Sequence, residues 1–169
     1  MTSAPILKLE NLTMRFGGLA AVSELSIDVP RGAIVGLIGP NGAGKTTVFN
    51  MVTGFYRPTH GRVVFDGDDI TGLQPHIICR SGISRTFQNI RLFSHETVLE
   101  NVMVGRHVRR RSKWWSAPLG LPSFKEEEER IRRKSLDLLE SVGLAEYAGE
   151  TSSSLPYGAQ RRLEIARAL

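Results

Sequence analysis

Residues 34–48, IVGLIGPNGAGKTTV, constrain this chain more than any other stretch. A continuous apolar run, Ile34-Val35-Gly36-Leu37-Ile38, breaks at Gly39 and Pro40. It then passes through Asn41, Gly42, Ala43 and Gly44 into Lys45, Thr46 and Thr47. That order predicts a short buried strand, a glycine-rich turn and a helix start. The spacing satisfies G-x-x-x-x-G-K-[ST] in full. Gly39, Gly42 and Gly44 allow backbone conformations that a Cβ forbids, so successive N–H groups can turn toward one anion. The following helix adds the positive end of its dipole, about half an elementary charge. Lys45 brings a full charge for the β- and γ-phosphates of a nucleotide. Thr46 brings a hydroxyl ligand for Mg²⁺, with Thr47 beside it. A glycine-rich turn before an ordinary amphipathic helix accounts for the glycines only. It leaves the lysine–hydroxyl pair and the preceding apolar run unexplained.

The rest of the composition sets bounds. With 169 residues, 41% of them hydrophobic, the chain makes one domain or part of one. No uninterrupted apolar run is long enough for a membrane span, and residues 1–5 lack the basic and apolar regions of a secretory signal. One cysteine, Cys79, excludes an internal disulfide and fits a reducing compartment. The net charge of +5 suits nucleic acid, an acidic membrane surface or a plain solvated surface.

Before the glycine-rich turn, residues 6–12 and 25–29 alternate apolar and polar side chains, which predicts two half-buried strands with turns at 14–18 and 30–32. Phe16 lies in the first turn. Spacing alone favours a core role for it over a stacking surface for a base. After the turn, the pattern predicts a helix over 46–53, a strand over 61–67, a helix over 75–81 stopped by Gly82, and a strand over 83–87 leading to Gln88. From Thr97 the chain becomes helical. The basic run 106–113 and Trp114-Trp115 precede a Pro/Gly/Ser stretch, and a second helix starts near Phe124. Its Glu126, Glu128 and Glu129 stand four residues before Arg130, Arg132 and Arg133, a spacing that favours ion pairs. Leu136, Leu139 and Val142 form its expected apolar face. A last helix begins near Gly158 with Leu163, Ile165, Ala166 and Leu169. The basic run carries no aromatic platform, so nucleic acid is disfavoured as a partner. The two tryptophans read as a cap on the helical unit.

A second motif identifies the kind of phosphate-loop protein. Residues 155–169, LPYGAQRRLEIARAL, resemble the signature segment of ABC-transporter ATPases (LSGGQ, continuing into ARAL). With the phosphate loop, Gln88 and Phe16 in order, the whole chain resembles such an ATPase from its start through its signature helix. RFGGLAAV, RTFQNIRLF, TVLENVMVG and YGAQRRLEIARAL are most similar to the ATPase subunits of branched-chain (hydrophobic) amino-acid importers. The resemblance implies an α/β fold: a P-loop NTPase of ABC type, with an N-terminal antiparallel β subdomain and an α-helical subdomain, incomplete at the C-terminus. It divides the chain into a core (1–96), a helical subdomain (97–154) and the signature segment (155–169).

The resemblance also assigns roles, with ATP and Mg²⁺ as ligands. Phe16 stacks on adenine. Gly39, Asn41, Gly42, Gly44, Lys45, Thr46 and Thr47 hold the phosphates. Thr46 and Gln88 serve the metal, and Gln88 also the attacking water. Tyr157, Gly158 and Gln160 complete the site of a second ABC ATPase in a head-to-tail dimer. The helical subdomain faces transmembrane permease subunits, at the inner face of the cell membrane, and no residue touches the transported substrate. The reaction is in-line attack of water on the γ-phosphate. Two residues depart from the motif: Pro156 stands for the signature serine and Tyr157 for its first glycine. A proline supplies neither hydroxyl nor N–H. The family continues into an apolar strand ending Asp-Glu and a later histidine, none of which is present. The expectation is an N-terminal portion that hydrolyses ATP negligibly alone, binds it poorly, and leaves open strand edges at 34–38 and 83–87 that favour aggregation.

Overall fold

The computed structural model describes residues 4–106 and 122–169, except the side chains of 122–124. The chain divides into two compact units, Met1–Ile83 and Ser84–Leu169.

In the first unit the alternating segments become strands, both longer than the alternation: β1 (Leu7–Phe16) and β2 (Leu19–Val29). The predicted turn at 14–18 contracts to Gly17-Gly18, because Met14 and Phe16 stay in the ladder opposite Val22 and Leu19. The ladder shifts register between Leu9 and Leu12. Asn11 there turns to positive φ (47°), and its N–H is taken by Ser26 Oγ at 3.0 Å. β3 (His60–Phe65) pairs antiparallel on the other side of β1, and a two-residue β4 (Asp68–Asp69) completes the order β2-β1-β3-β4. Two helices follow as predicted: α1 (Lys45–Val52), and α2 (Pro75–Ser81) with proline at its start and Gly82 as a left-handed stop. Leu9, Leu12 and Val63 of the sheet pack with Val48 and Met51 of α1 and Ile78 of α2. Each such side chain contributes roughly 1.5–3 kcal/mol by leaving water.

Two strand expectations fail. Residues 34–38 and 83–87 are not strands. Ile34 and Ile38 are fully exposed, and only Leu37 of that run packs against the core. A strand exists through its ladder, and among the described residues no segment pairs with either run. β1 and β2 differ because a short turn delivers each to the other.

In the second unit, α3 (Val98–Arg106) starts from a reciprocal cap. Thr97 N–H donates to Glu100 Oε2 at 2.8 Å, while Glu100 N–H donates back to Thr97 Oγ1 at 3.2 Å. α4 (Pro122–Ser141) and α5 (Tyr157–Ala168) complete the helices. Val98, Val102, Leu139, Leu144, Leu155 and Leu163 form the core. The buried line of α4 is Glu127, Ile131, Ser135 and Leu139, a different stripe from the expected Leu136-Leu139-Val142 face, of which Leu136 and Val142 are half-buried. Arg130 pairs with Glu127 three residues back (3.3 Å) and not with Glu126. On α5, Leu163 and Ala166 are buried as expected, whereas Ile165 is exposed. The basic run beyond Arg106 and both tryptophans lie outside the described residues. Among the described residues no helix is long and apolar enough to cross a membrane.

Candidate nucleotide site

The glycine-rich turn is held against the sheet at one point. Gly44, the cap of α1, has φ 78°, and a Cβ there would lie 2.4 Å from Ala21 O and 3.0 Å from Val22 Cγ2 of β2. Only glycine meets both conditions. Helical bonding begins with Val48 N–H donating to Gly44 O at 2.9 Å. The N–H groups of Gly44, Lys45, Thr46 and Thr47 therefore have no acceptor among the described residues, and no side chain caps the helix. Four successive bare donors at a helix start are an anion cradle.

Lys45 folds back over the turn, its Nζ donating to Gly39 O (2.6 Å) and Pro40 O (2.7 Å). Asn41, Gly42 and Thr46 are exposed, and Gly39 and Thr47 are half-buried. These residues fit a nucleotide's phosphates: donors without acceptors, a cation that can exchange two carbonyls for phosphate oxygens, and open hydroxyls. Phe16 is 44% exposed and meets Tyr56 edge-on, with ring centroids 5.4 Å apart. It is not a core residue under the turn. Tyr56 was not anticipated; no spacing rule links it to Phe16, since the pairing arises where the chain leaves α1.

The remaining candidates lie in the second unit. Gln88 is exposed. Tyr157 opens α5 with 66% exposure, and Gly158 has open space around it. Gln160 turns inward, its Nε2 donating to Leu155 O at 2.8 Å, which braces the turn. Sequence reasoning missed two residues here, Arg161 and Glu164. Glu164 is 2% exposed, with Oε1 accepting from Phe87 N–H at 3.2 Å and Oε2 from Arg161 at 3.0 Å. Arg161 also donates to Phe87 O (2.7 Å), to Gln88 O, and to the Tyr157 hydroxyl (3.0 and 3.1 Å). The Tyr157 hydroxyl first, then Glu164, hold the Arg161 guanidinium above its ordinary pKa. Arg167, half-buried with its guanidinium 5.6 Å from the Phe93 ring centroid, is pushed down by burial. A signal for Glu164 existed: a lone carboxylate between Leu163 and Ala166, on the apolar side of α5, needs a partner.

The sequence pattern of the ABC transporter family matches residues 22–169. The chain is 47% identical over 167 residues to the high-affinity branched-chain amino acid transport ATP-binding protein BraF of Pseudomonas aeruginosa. It is 46% identical to the corresponding protein LivG of Escherichia coli. Each comparison covers 99% of this chain and 66% of the relative, so the chain spans just under two thirds of their length. Among solved structures, an ATP-binding cassette of an ABC transporter in its ADP conformation superposes with a TM-score of 0.81 at 34% identity. That match covers 99% of this chain and 65% of the cassette. A bacterial ABC transporter cassette in dimeric form gives 0.75 at 27% identity, over 96% and 68%.

Proposed function

The chain belongs to the ABC transporter family, and on that premise we propose that it binds ATP with Mg²⁺ as the nucleotide-binding part of an importer ATPase. The observation that carries this reading is the row of four acceptor-free N–H groups from Gly44 to Thr47, beside the Lys45 ammonium. The N–H groups take the β-phosphate region and Lys45 reaches the γ-phosphate. Thr46 would hold Mg²⁺, which would supply neutralising charge at the phosphates. Asn41 and Gly42 close the turn over the phosphates, and Phe16 receives the adenine. Gln88 serves the metal and orients the attacking water.

A second ATPase meets Tyr157, Gly158 and Gln160 head to tail, consistent with the likeness to a dimeric cassette. Permease subunits hold the assembly on the inner membrane face. The names of the relatives point to amino acids, branched-chain ones among them, as the transported class. Hydrolysis is proposed for a protein of the relatives' full length.

Titration with MgATP, beside a Lys45→Ala control, tests the reading. Saturable binding that Lys45→Ala weakens about a hundredfold is expected. Absence of binding, or binding indifferent to Lys45, overturns it.

A further inference from the structure

Arg161 and Glu164 make three hydrogen bonds to the backbone of Phe87 and Gln88, more than seventy residues away in sequence. Glu164 Oε1 accepts the Phe87 N–H, Arg161 donates to the Phe87 and Gln88 carbonyls, and the two side chains bond each other at 3.0 Å. Glu164 is buried, so its charge is balanced on the spot by Arg161. Arg161 is in turn held by the hydroxyl of Tyr157, at the exposed start of α5. Its guanidinium lies 5.4 Å from the Tyr157 ring centroid, which adds a cation–π contact. Tyr157 occupies a place where the signature motif has glycine, which could hold nothing. The planar fork of arginine suits this use, because it can serve a hydroxyl, a carboxylate and two carbonyls from one fixed plane.

We propose that Tyr157, Arg161 and Glu164 form a clasp that positions Gln88, so that whatever engages the Tyr157 turn also sets the placement of the Gln88 backbone. Arg161 and Glu164 are positioning residues: they act through Gln88 and touch no nucleotide. The inference deepens the proposed function and rests on it for the role of Gln88. The clasp itself stands on the hydrogen bonds alone.

Amide hydrogen exchange on the chain with isotopically labelled phenylalanine, glutamine and leucine tests the clasp. Phe87 reports the clasp and Leu163 reports the folding of α5. Arg161→Gln should speed Phe87 exchange by about tenfold, the loss expected for bonds to a charged group, and shift the Gln88 resonance. Leu163 should stay protected. Arg161→Lys, which keeps a cation and fewer donors, should restore part of the protection, as a merely space-filling side chain would not. Tyr157→Phe removes one exposed hydroxyl and should move Phe87 and Gln88 in the same direction by a smaller factor. Unchanged Phe87 exchange in Arg161→Gln with Leu163 protected overturns the clasp. If Arg161→Gln unfolds α5, Tyr157→Phe decides: unchanged Phe87 and Gln88 there overturn the proposal. MgATP titration of the unmodified chain is read separately. Failure to bind removes the proposed function and leaves the exchange result standing.

Discussion

At the start of α1, four successive N–H groups, Gly44 to Thr47, have no acceptor among the described residues. At the start of α5 only Tyr157 and Gly158 lack one, because Pro156 O accepts from both Ala159 (2.9 Å) and Gln160 (3.0 Å). The α3 start differs from both, since Thr97 and Glu100 cap each other. Donors left bare toward solvent make α1 a place for an anion. At α5 two of the donors are answered within the turn, and the side chains of Gln160 and Arg161 reach to backbone carbonyls. Two glycine-bearing helix starts can thus look alike as strings and differ in what they offer a ligand.

Glycine replacement should separate them most sharply. Gly44→Ala places a Cβ 2.4 Å from Ala21 O at a φ of 78°. Left-handed strain plus overpacking should cost about 3 kcal/mol. Gly158→Ala meets nothing within 4 Å and should alter stability by under about 0.5 kcal/mol. Urea denaturation of both variants measures the contrast; equal costs would erase it.

Next in size, Lys45→Ala should weaken MgATP about a hundredfold, as expected for losing a charge-assisted contact. Stability should barely change, since one of its two acceptors, Pro40 O, belongs to an exposed residue. Calorimetric titration and a melt on the same sample check both halves.

An unanswered polar group has the opposite value when buried. Ser135 Oγ in α4 is fully buried and has no partner among the described residues. Ser135→Ala should raise stability by about 1 kcal/mol, through relief of desolvation and better helix propensity. A loss of stability would show that the hydroxyl is answered in solution.

The smallest effect belongs to the capped start. Hydrogen bonds from the Thr97 hydroxyl and N–H lower the Glu100 pKa. A depressed carboxylate pKa adds stability above the unfolded value and loses it as pH falls through the folded value. Thr97→Ala removes the hydroxyl and keeps the backbone N–H bond, so it should move Glu100 part of the way back toward the ordinary glutamate range in an NMR titration. Its stability deficit against the parent chain should shrink on acidification through that range. A pH-independent deficit would assign the cap to Thr97 alone.

Helix limits were legible where a local signal marks them: proline opening α2 with Gly82 closing it, and Gly143 after α4, whose φ is 66°. The cap of α3 was equally local, as Thr97-x-x-Glu100, and went unread. The glycine-rich turn and the start of α1 were legible because their signals are residue types at short spacing. Arg161 was not, since an exposed arginine on a helix reads as a solvated charge until its acceptors are known.

The sequence alone determined the glycine-rich turn, the alternating strands β1 and β2, the helices and the family. These depend on residue type, short spacing and partners a few residues away. Tertiary structure alone decided that residues 34–38 and 83–87 stay outside any ladder among the described residues, and that Glu164 and Arg161 close on the backbone of Phe87 and Gln88. A continuous apolar run states only that it wants burial, without saying against which neighbour. A hydrogen bond across seventy residues exists only once the fold has brought its two ends together.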